Sequence, residues 1–229
     1  MVSKKKLNIS LTELNTIKPI TDNQKEVFAS YEKGQNLFLY GVAGTGKTFV
    51  ALYNALKDVL DPKSPRERVY IVRSLLPTRD IGFLPGDEED KSYLYQVPYQ
   101  NMVRFMFKQP DERSFEQLYN NLRNQGTIDF LSTSFLRGIT IDNGVIIVDE
   151  CQNLNFHELD TIMTRVGQDT KIIFAGDIQQ TDLTKTNDRN GILDFVNIMQ
   201  QMKEVDCIEF DLNDIVRSGM LKSYLIEKI

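Results

Sequence analysis

The chain has 229 residues, 41% of them hydrophobic, which is enough to bury a sizeable core and excludes disorder over most of its length. A formal charge of −5 and a pI near 5.1 exclude a protein that coats nucleic acid by bulk electrostatics, so any such contact needs a local basic strip. Cys151 and Cys207 match no metal or redox spacing, Met1 to Leu14 lacks the apolar run of a signal peptide, and no stretch approaches the ~20 apolar residues that span a bilayer, so the expected location is a reducing cytoplasm.

In chain order, residues 1–18 read as an N-terminal extension, and 19–229 as one domain without repeats or low-complexity linkers. Asp22-Asn23-Gln24 opens a helical stretch that ends near Gly34. By itself this is a helix-cap cluster, although the Gln24 amide carries the donor and acceptor together that adenine recognition requires. Next comes Leu37–Tyr40, the first of six short apolar runs; the others are Val69–Val72, Ile128–Leu131, Val145–Val148, Lys171–Ala175 and Cys207–Phe210. Runs this short and apolar on both faces suit buried parallel strands covered by helices, which sets the class as α/β.

Between the first two runs lies Gly-Val-Ala-Gly-Thr-Gly-Lys-Thr, residues 41–48, followed by Val50, Leu52, Ala55, Leu56 and Val59 at helical spacing and a stop at Asp61-Pro62. The octet fits G-x-x-x-x-G-K-[ST], the phosphate loop of P-loop proteins. Its glycines let backbone N–H groups close on phosphate oxygens, the helix points its positive N-terminus at them, Lys47 supplies a point charge and the Thr48 hydroxyl ligates Mg²⁺. The candidate nucleotide contacts are Gly41, Ala43, Gly44, Thr45, Gly46, Lys47, Thr48 and Phe49.

Residues 76–90 read as a loop ending in Asp87-Glu88-Glu89-Asp90, a solvated turn or a helix N-terminus. Residues 92–125 are mostly helical, and their tyrosines and phenylalanines, Tyr99 among them, read as core more readily than as base-stacking platforms. The run Val145–Val148 ends in Asp149-Glu150; side chains of neighbouring residues at a strand end point differently, so Asp149 can hold the Mg²⁺ shell while Glu150 orients and deprotonates the attacking water. After Lys171–Ala175 comes Gly176-Asp177-Ile178-Gln179-Gln180, which is either a polar strand-end turn or a segment that brings the neutral amide of Gln180 to the γ-phosphate.

These motifs together resemble the PhoH family, ATPases with a RecA-like core akin to one motor domain of superfamily-one helicases. The resemblance runs from about Pro19 to Ile229. It is carried by Ile81-Gly82-Phe83-Leu84-Pro85-Gly86-Asp87, Leu136-Arg137-Gly138-Ile139-Thr140, Val148-Asp149-Glu150-Cys151-Gln152-Asn153, Met163-Thr164-Arg165-Val166-Gly167, residues 176–183 and Asp214-Ile215-Val216-Arg217. It implies a P-loop NTPase with Gln24 on adenine, Gly44 through Thr48 on phosphates and Mg²⁺, Asp149 on Mg²⁺, Glu150 as base and Gln180 as γ-phosphate sensor. Lys47 joins them as a catalytic charge. Arg217 falls where helicase-like motors carry a γ-phosphate arginine, and Arg165 is a second candidate acting across a subunit interface. Two positions depart from the family pattern: Ile139 stands where an Arg is usual, and Ser74 where a Pro usually follows Arg73. Both bear on nucleic-acid grip more than on ATP. The nuclease domain fused to some members is not expected in this chain.

The function expected is Mg²⁺-dependent ATP hydrolysis driving a motor on single-stranded RNA or DNA, with Arg73, Arg79, Arg104 and Arg137 as contacts. Because such motors close ATP between two core domains and one is read here, self-association into a ring such as a hexamer is expected. A different class, a nucleotide-dependent switch that recruits a protein partner, fits the acidic pI. A small-molecule kinase shares the phosphate loop, but Glu150 and Gln180 suit attack by water better than by an acceptor hydroxyl.

Overall fold

A computed structural model describes residues 9–73, 88–133, 136, 138–178, 186–217 and 219–228, with backbone alone at 88–94, 186–190, 221, 225, 226 and 228. Six strands are described: β1 (Asn36–Gly41), β2 (Arg68–Arg73), β3 (Ile128–Leu131), β4 (Gly144–Asp149), β5 (Lys171–Gly176) and β6 (Val205–Phe210). Each coincides with one of the six apolar runs. They form one sheet in the order β3-β2-β4-β5-β1-β6, and every pair is parallel.

The helices are α1 (Asp22–Glu32), α2 (Lys47–Leu60), α3 (Glu88–Met106), α4 (Glu112–Asn124), α5 (Phe156–Met163), α6 (Thr186–Gln201) and α7 (Gly219–Lys228). Glu88-Glu89-Asp90 of the acidic run thus lie at the N-terminus of α3. The mostly helical stretch is two helices: shortly after α3 ends, Asp111 caps α4 by accepting from the Ser114 N–H, next to Pro110, which cannot donate.

Alternate residues of each strand face opposite layers. Val145 and Ile147 of β4 join Leu37, Leu39, Val69, Ile71 and Ile173 beneath α1, α2, α3 and α4. Ile146 and Val148 join Phe38, Val72 and Phe174 against Leu159 and Ile162 of α5 and Ile192 and Phe195 of α6. All six residues of β4 and of β5 are buried, as central strands of a doubly covered sheet must be. Residues 9–17, read as an extension, lay Ile9 and Leu14 into the first of these layers, and the Tyr53 hydroxyl of α2 accepts from the Ile17 N–H at 3.1 Å.

Parallel order brings the C-terminal ends of β1, β2, β4 and β5 to one edge, where α/β sheets bind ligands. That edge carries the phosphate loop after β1, Arg73 at the end of β2, Asp149 at the end of β4 with Glu150 following, and Asp177 after β5. Among the described residues no helix is long and apolar enough to cross a membrane.

Candidate active site

The loop between β1 and α2 is shaped by glycines at positive φ. Gly41 has φ +115°, and a Cβ there would fall 2.1 Å from the Phe210 carbonyl oxygen of β6. Gly46, at φ +83°, occupies the N-cap of α2 in the left-handed region and has no side chain to cap the helix. The first-turn N–H groups of α2 therefore face the loop cavity without a side-chain partner from the cap residue, an arrangement matched to phosphate oxygens.

Lys47 and Thr48 follow on the first turn. The Lys47 Nζ donates to the Gly41 and Val42 carbonyls, both at 2.8 Å, which stretches the side chain along the inside of the loop. Burial lowers its pKa, against the pull of Asp177, Glu150 and Asp149, whose negative charges favour the ammonium. The Thr48 hydroxyl donates to Asp149 Oδ1 at 2.7 Å, joining two residues 101 apart in sequence. Asp149 ends β4 at 6% exposure, and its other oxygen, Oδ2, accepts the Tyr99 hydroxyl of α3 at 2.6 Å.

Tyr99 is the site residue that its aromatic spacing concealed. Its ring is core, 2% exposed and edge-on to Phe130, as the helical pattern indicates. The signal that separates it from a phenylalanine is the buried hydroxyl, which needs a partner. Burial first, and then the Asp149 charge it faces, push the phenol pKa far up, so Tyr99 is a permanent donor. Arg73 closes the group. Its strand register pairs it with Asp149; burial works against its charge, but Tyr99, Asp149 and Glu150 outweigh that and hold its pKa above the usual arginine value. Arg73, expected as a nucleic-acid contact, stands at the register position of Asp149 on the neighbouring strand, with its guanidinium 5.8 Å from the centroid of the Tyr95 ring. Arg104, the other such candidate among the described residues, pairs with Glu112 and lies over the Phe115 ring at 4.9 Å.

Glu150 sits at φ +51°, ψ +41°, left-handed for a residue other than Gly, Asn or Asp. Strain of this kind persists where the surroundings over-determine it. The surroundings here are Gln152, whose Nε2 donates to Glu150 Oε2 at 2.6 Å while its Oε1 accepts from the Asp177 N–H at 3.1 Å. Gln152 thus ties the end of β4 to the end of β5. Gly176 makes room for it, since a Cβ there would lie 2.5 Å from Gln152 Oε1. Within the block Val148–Asn153, sequence alone assigns Gln152 no role.

Gln24 is buried in α1, with its Oε1 accepting from the Ile20 N–H at 3.0 Å and its Nε2 donating to the Thr45 carbonyl at 3.0 Å. It braces the phosphate loop and retains one Nε2 hydrogen and one Oε1 lone pair beyond these two bonds. Beside it, Asn23 donates to Asp214 Oδ2 at 2.6 Å, and the Val216 N–H donates to the Gly44 carbonyl at 3.2 Å. The segment carrying Arg217 is therefore fastened to the loop, with the Arg217 side chain exposed next to it. Arg165 goes elsewhere within the chain. It donates to the Thr161 carbonyl of α5 and to the Ile139 carbonyl ahead of β4, away from the strand end that carries Asp149. Gln180, Arg79, Arg137, Ser74 and the block 81–87 lie outside the described residues.

The donor set fits a nucleotide and a small hard cation: N–H groups at a helix start for phosphates, and a hydroxyl and a carboxylate in contact for Mg²⁺. A family profile described as PhoH-like protein matches residues 16–227. The chain is 29% identical over 216 residues to a PhoH-like protein of Mycobacterium leprae, covering 94% of this chain and 59% of that one. It is 36% identical over 161 residues to Protein PhoH2 of Bacillus subtilis, with 69% and 35% covered, and 30% identical over 204 residues to Protein PhoH of Escherichia coli, with 88% and 55% covered. The chain thus spans between about a third and three-fifths of the length of these relatives. In architecture it is similar to the large terminase of a thermophilic bacteriophage, with TM-scores of 0.53 for the ADP complex and 0.56 for a second crystal form. Identities are 13% and 12%, with 90% of this chain and about half of the terminase covered, so this likeness concerns the fold: a P-loop NTPase with a RecA-like parallel sheet.

Proposed function

The chain belongs to the PhoH-like protein family, and on that premise we propose that it binds ATP with Mg²⁺ at residues 41–48 and Asp149 and hydrolyses the γ-phosphate. The observation that carries this reading is the 2.7 Å bond between Thr48 and Asp149, which joins the phosphate loop to the strand-end carboxylate in one cation-binding pair.

The Thr48 hydroxyl and Asp149 would hold Mg²⁺, which would supply neutralisation of phosphate charge. The chain's own groups do the rest. The α2 N–H groups and Lys47 hold the phosphates, and Lys47 exchanges its contacts with the Gly41 and Val42 carbonyls for the phosphate oxygens. Glu150, fixed through Oε2 by Gln152, has Oε1 left to take a proton from water as the water oxygen bonds to the γ-phosphorus and the bond to the β,γ-bridging oxygen breaks. Arg217, beside Gly44, is the candidate to balance charge that develops on the γ-phosphoryl oxygens, and Gln180 the candidate to sense them. Gln24, Phe49 and the remaining loop residues complete the nucleotide contacts.

The work driven is proposed to be movement on single-stranded RNA or DNA in a ring whose neighbouring subunit closes the site, with Arg165 as a group offered across that boundary. The charge of Arg73, held by Tyr99 and the carboxylates Asp149 and Glu150, favours the second reading, a nucleotide-dependent switch for a protein partner. ATP turnover measured with and without single-stranded RNA separates them. Stimulation of several-fold that fades at high salt supports the motor, because phosphate contacts weaken as counterions compete. Unchanged turnover supports the switch. Light scattering with a non-hydrolysable ATP analogue that returns only monomer mass removes the ring.

A further inference from the structure

We propose that Tyr99 is the residue that sets cation selectivity at this site, by occupying one oxygen of Asp149. This rests on the reading above, in which Asp149 faces the nucleotide's divalent cation.

A carboxylate binds a cation through one oxygen or through both. Mg²⁺ demands near-octahedral geometry at short distances and takes a single oxygen per carboxylate, whereas Ca²⁺ accepts 6–8 oxygens at longer range and readily takes a carboxylate by both. In this chain Asp149 Oδ2 accepts the Tyr99 hydroxyl at 2.6 Å and Oδ1 accepts the Thr48 hydroxyl at 2.7 Å. Rotating Asp149 to present both oxygens would break the Tyr99 bond and strand a buried hydroxyl, a cost that falls on Ca²⁺ and not on Mg²⁺. Tyr99 itself cannot follow such a rotation. Its ring is 2% exposed and packed edge-on to Phe130 at 5.4 Å, and Arg73 faces the same hydroxyl. The carboxylate is thus locked into its one-oxygen presentation by a donor from α3, an element outside the phosphate loop and the strand that carries Asp149. Tyr99 is a positioning residue, since it acts through Asp149.

The test is binding of a fluorescent ATP analogue to the full chain in Mg²⁺, in Ca²⁺ and in EDTA, for the wild type, Tyr99→Phe, Asp149→Asn and the double variant, with thermal melting in EDTA as a fold control. Tyr99→Phe keeps the ring and removes the hydroxyl. The expected result is a fall of about tenfold in the ratio of Mg²⁺ to Ca²⁺ affinity, the scale on which partners of metal ligands act. In the Asp149→Asn background the same change should leave the ratio unmoved. A Tyr99→Phe protein that melts lower but keeps the wild-type ratio overturns the proposal, because the hydroxyl would then serve packing alone. A ratio and a cation dependence untouched by Asp149→Asn overturn it too, and that outcome also removes Asp149 from the cation site. The two failures are therefore distinguishable.

Discussion

Two aspartates at opposite ends of the molecule show what a carboxylate in this chain looks like when it is finished and when it is not. Asp58, near the C-terminal end of α2, receives the Tyr31 hydroxyl at 2.7 Å, the Ser64 hydroxyl at 2.5 Å and the Arg66 guanidinium at 2.5 Å. Burial would raise its pKa, but those three donors hold it below the ordinary carboxylate range. Its charge is neutralised by a partner in direct contact. Asp149, at the other edge of the sheet, receives two neutral hydroxyls, and the cations around it, Lys47 and Arg73, feel its field from beyond direct contact. Charge inside a protein is costly unless it is paired, so the first arrangement belongs to folding and the second suits the cation proposed to bind there.

The difference can be broken most forcefully by exchanging each carboxylate for its amide. Asp149→Asn should lower Mg²⁺-dependent ATP turnover by about 10³-fold, the equivalent of several kcal/mol of cation-borne charge stabilisation, while the melting temperature falls much less than in Asp58→Asn. Asp58→Asn should do the reverse. It leaves the partly buried Arg66 without its counter-charge and should remove about 3 kcal/mol of stability, roughly 6–12 °C in melting temperature, with turnover per folded molecule little changed. Parallel melting and phosphate-release curves on both variants check the pair, and a large melting change in Asp149→Asn would erase the distinction.

A pH experiment sharpens it further. Because the pKa of Asp58 is depressed in the folded state, its contribution is present above the unfolded carboxylate value near 3.9 and is lost as pH falls through the lower folded value. Asp58→Asn should therefore flatten the acid limb of the stability curve. A smaller effect belongs to Lys171, buried beside this cluster with its Nζ donating to the Tyr31 carbonyl. Burial pushes its pKa down to about 8. Between that value and the ordinary lysine value near 10.4 the unfolded chain binds more protons, so wild type should gain stability relative to Lys171→Met as pH rises from about 8 to 10, on the order of 1 kcal/mol by chemical denaturation.

The sheet was legible in the sequence because a strand buried on both faces leaves an uninterrupted apolar run, and all six runs are strands. The phosphate loop was legible because backbone geometry at Gly41 and Gly46 leaves little choice of residue. Glu150 was legible as a neighbour of Asp149, although its left-handed backbone and its Gln152 tether were not, since both depend on where β5 ends. Tyr99 was half legible: periodicity reports which way a side chain points, and it says nothing about the partner 50 residues away that its hydroxyl reaches. Arg73 followed the same logic. As a charge beside an apolar run it reads as a surface contact, and only the parallel register of β2 with β4 sets it beside Asp149. Strand order, set by packing across the whole chain, is the information that separates a set of motifs from a site.

The proposed reaction at this edge is ATP hydrolysis with Glu150 as the base. Its most direct test is phosphate release and ATP-analogue affinity measured on Glu150→Gln beside wild type in Mg²⁺. Turnover lowered by about 10²–10⁴-fold with affinity retained is the expected result; wild-type turnover in the variant would contradict Glu150 as the base.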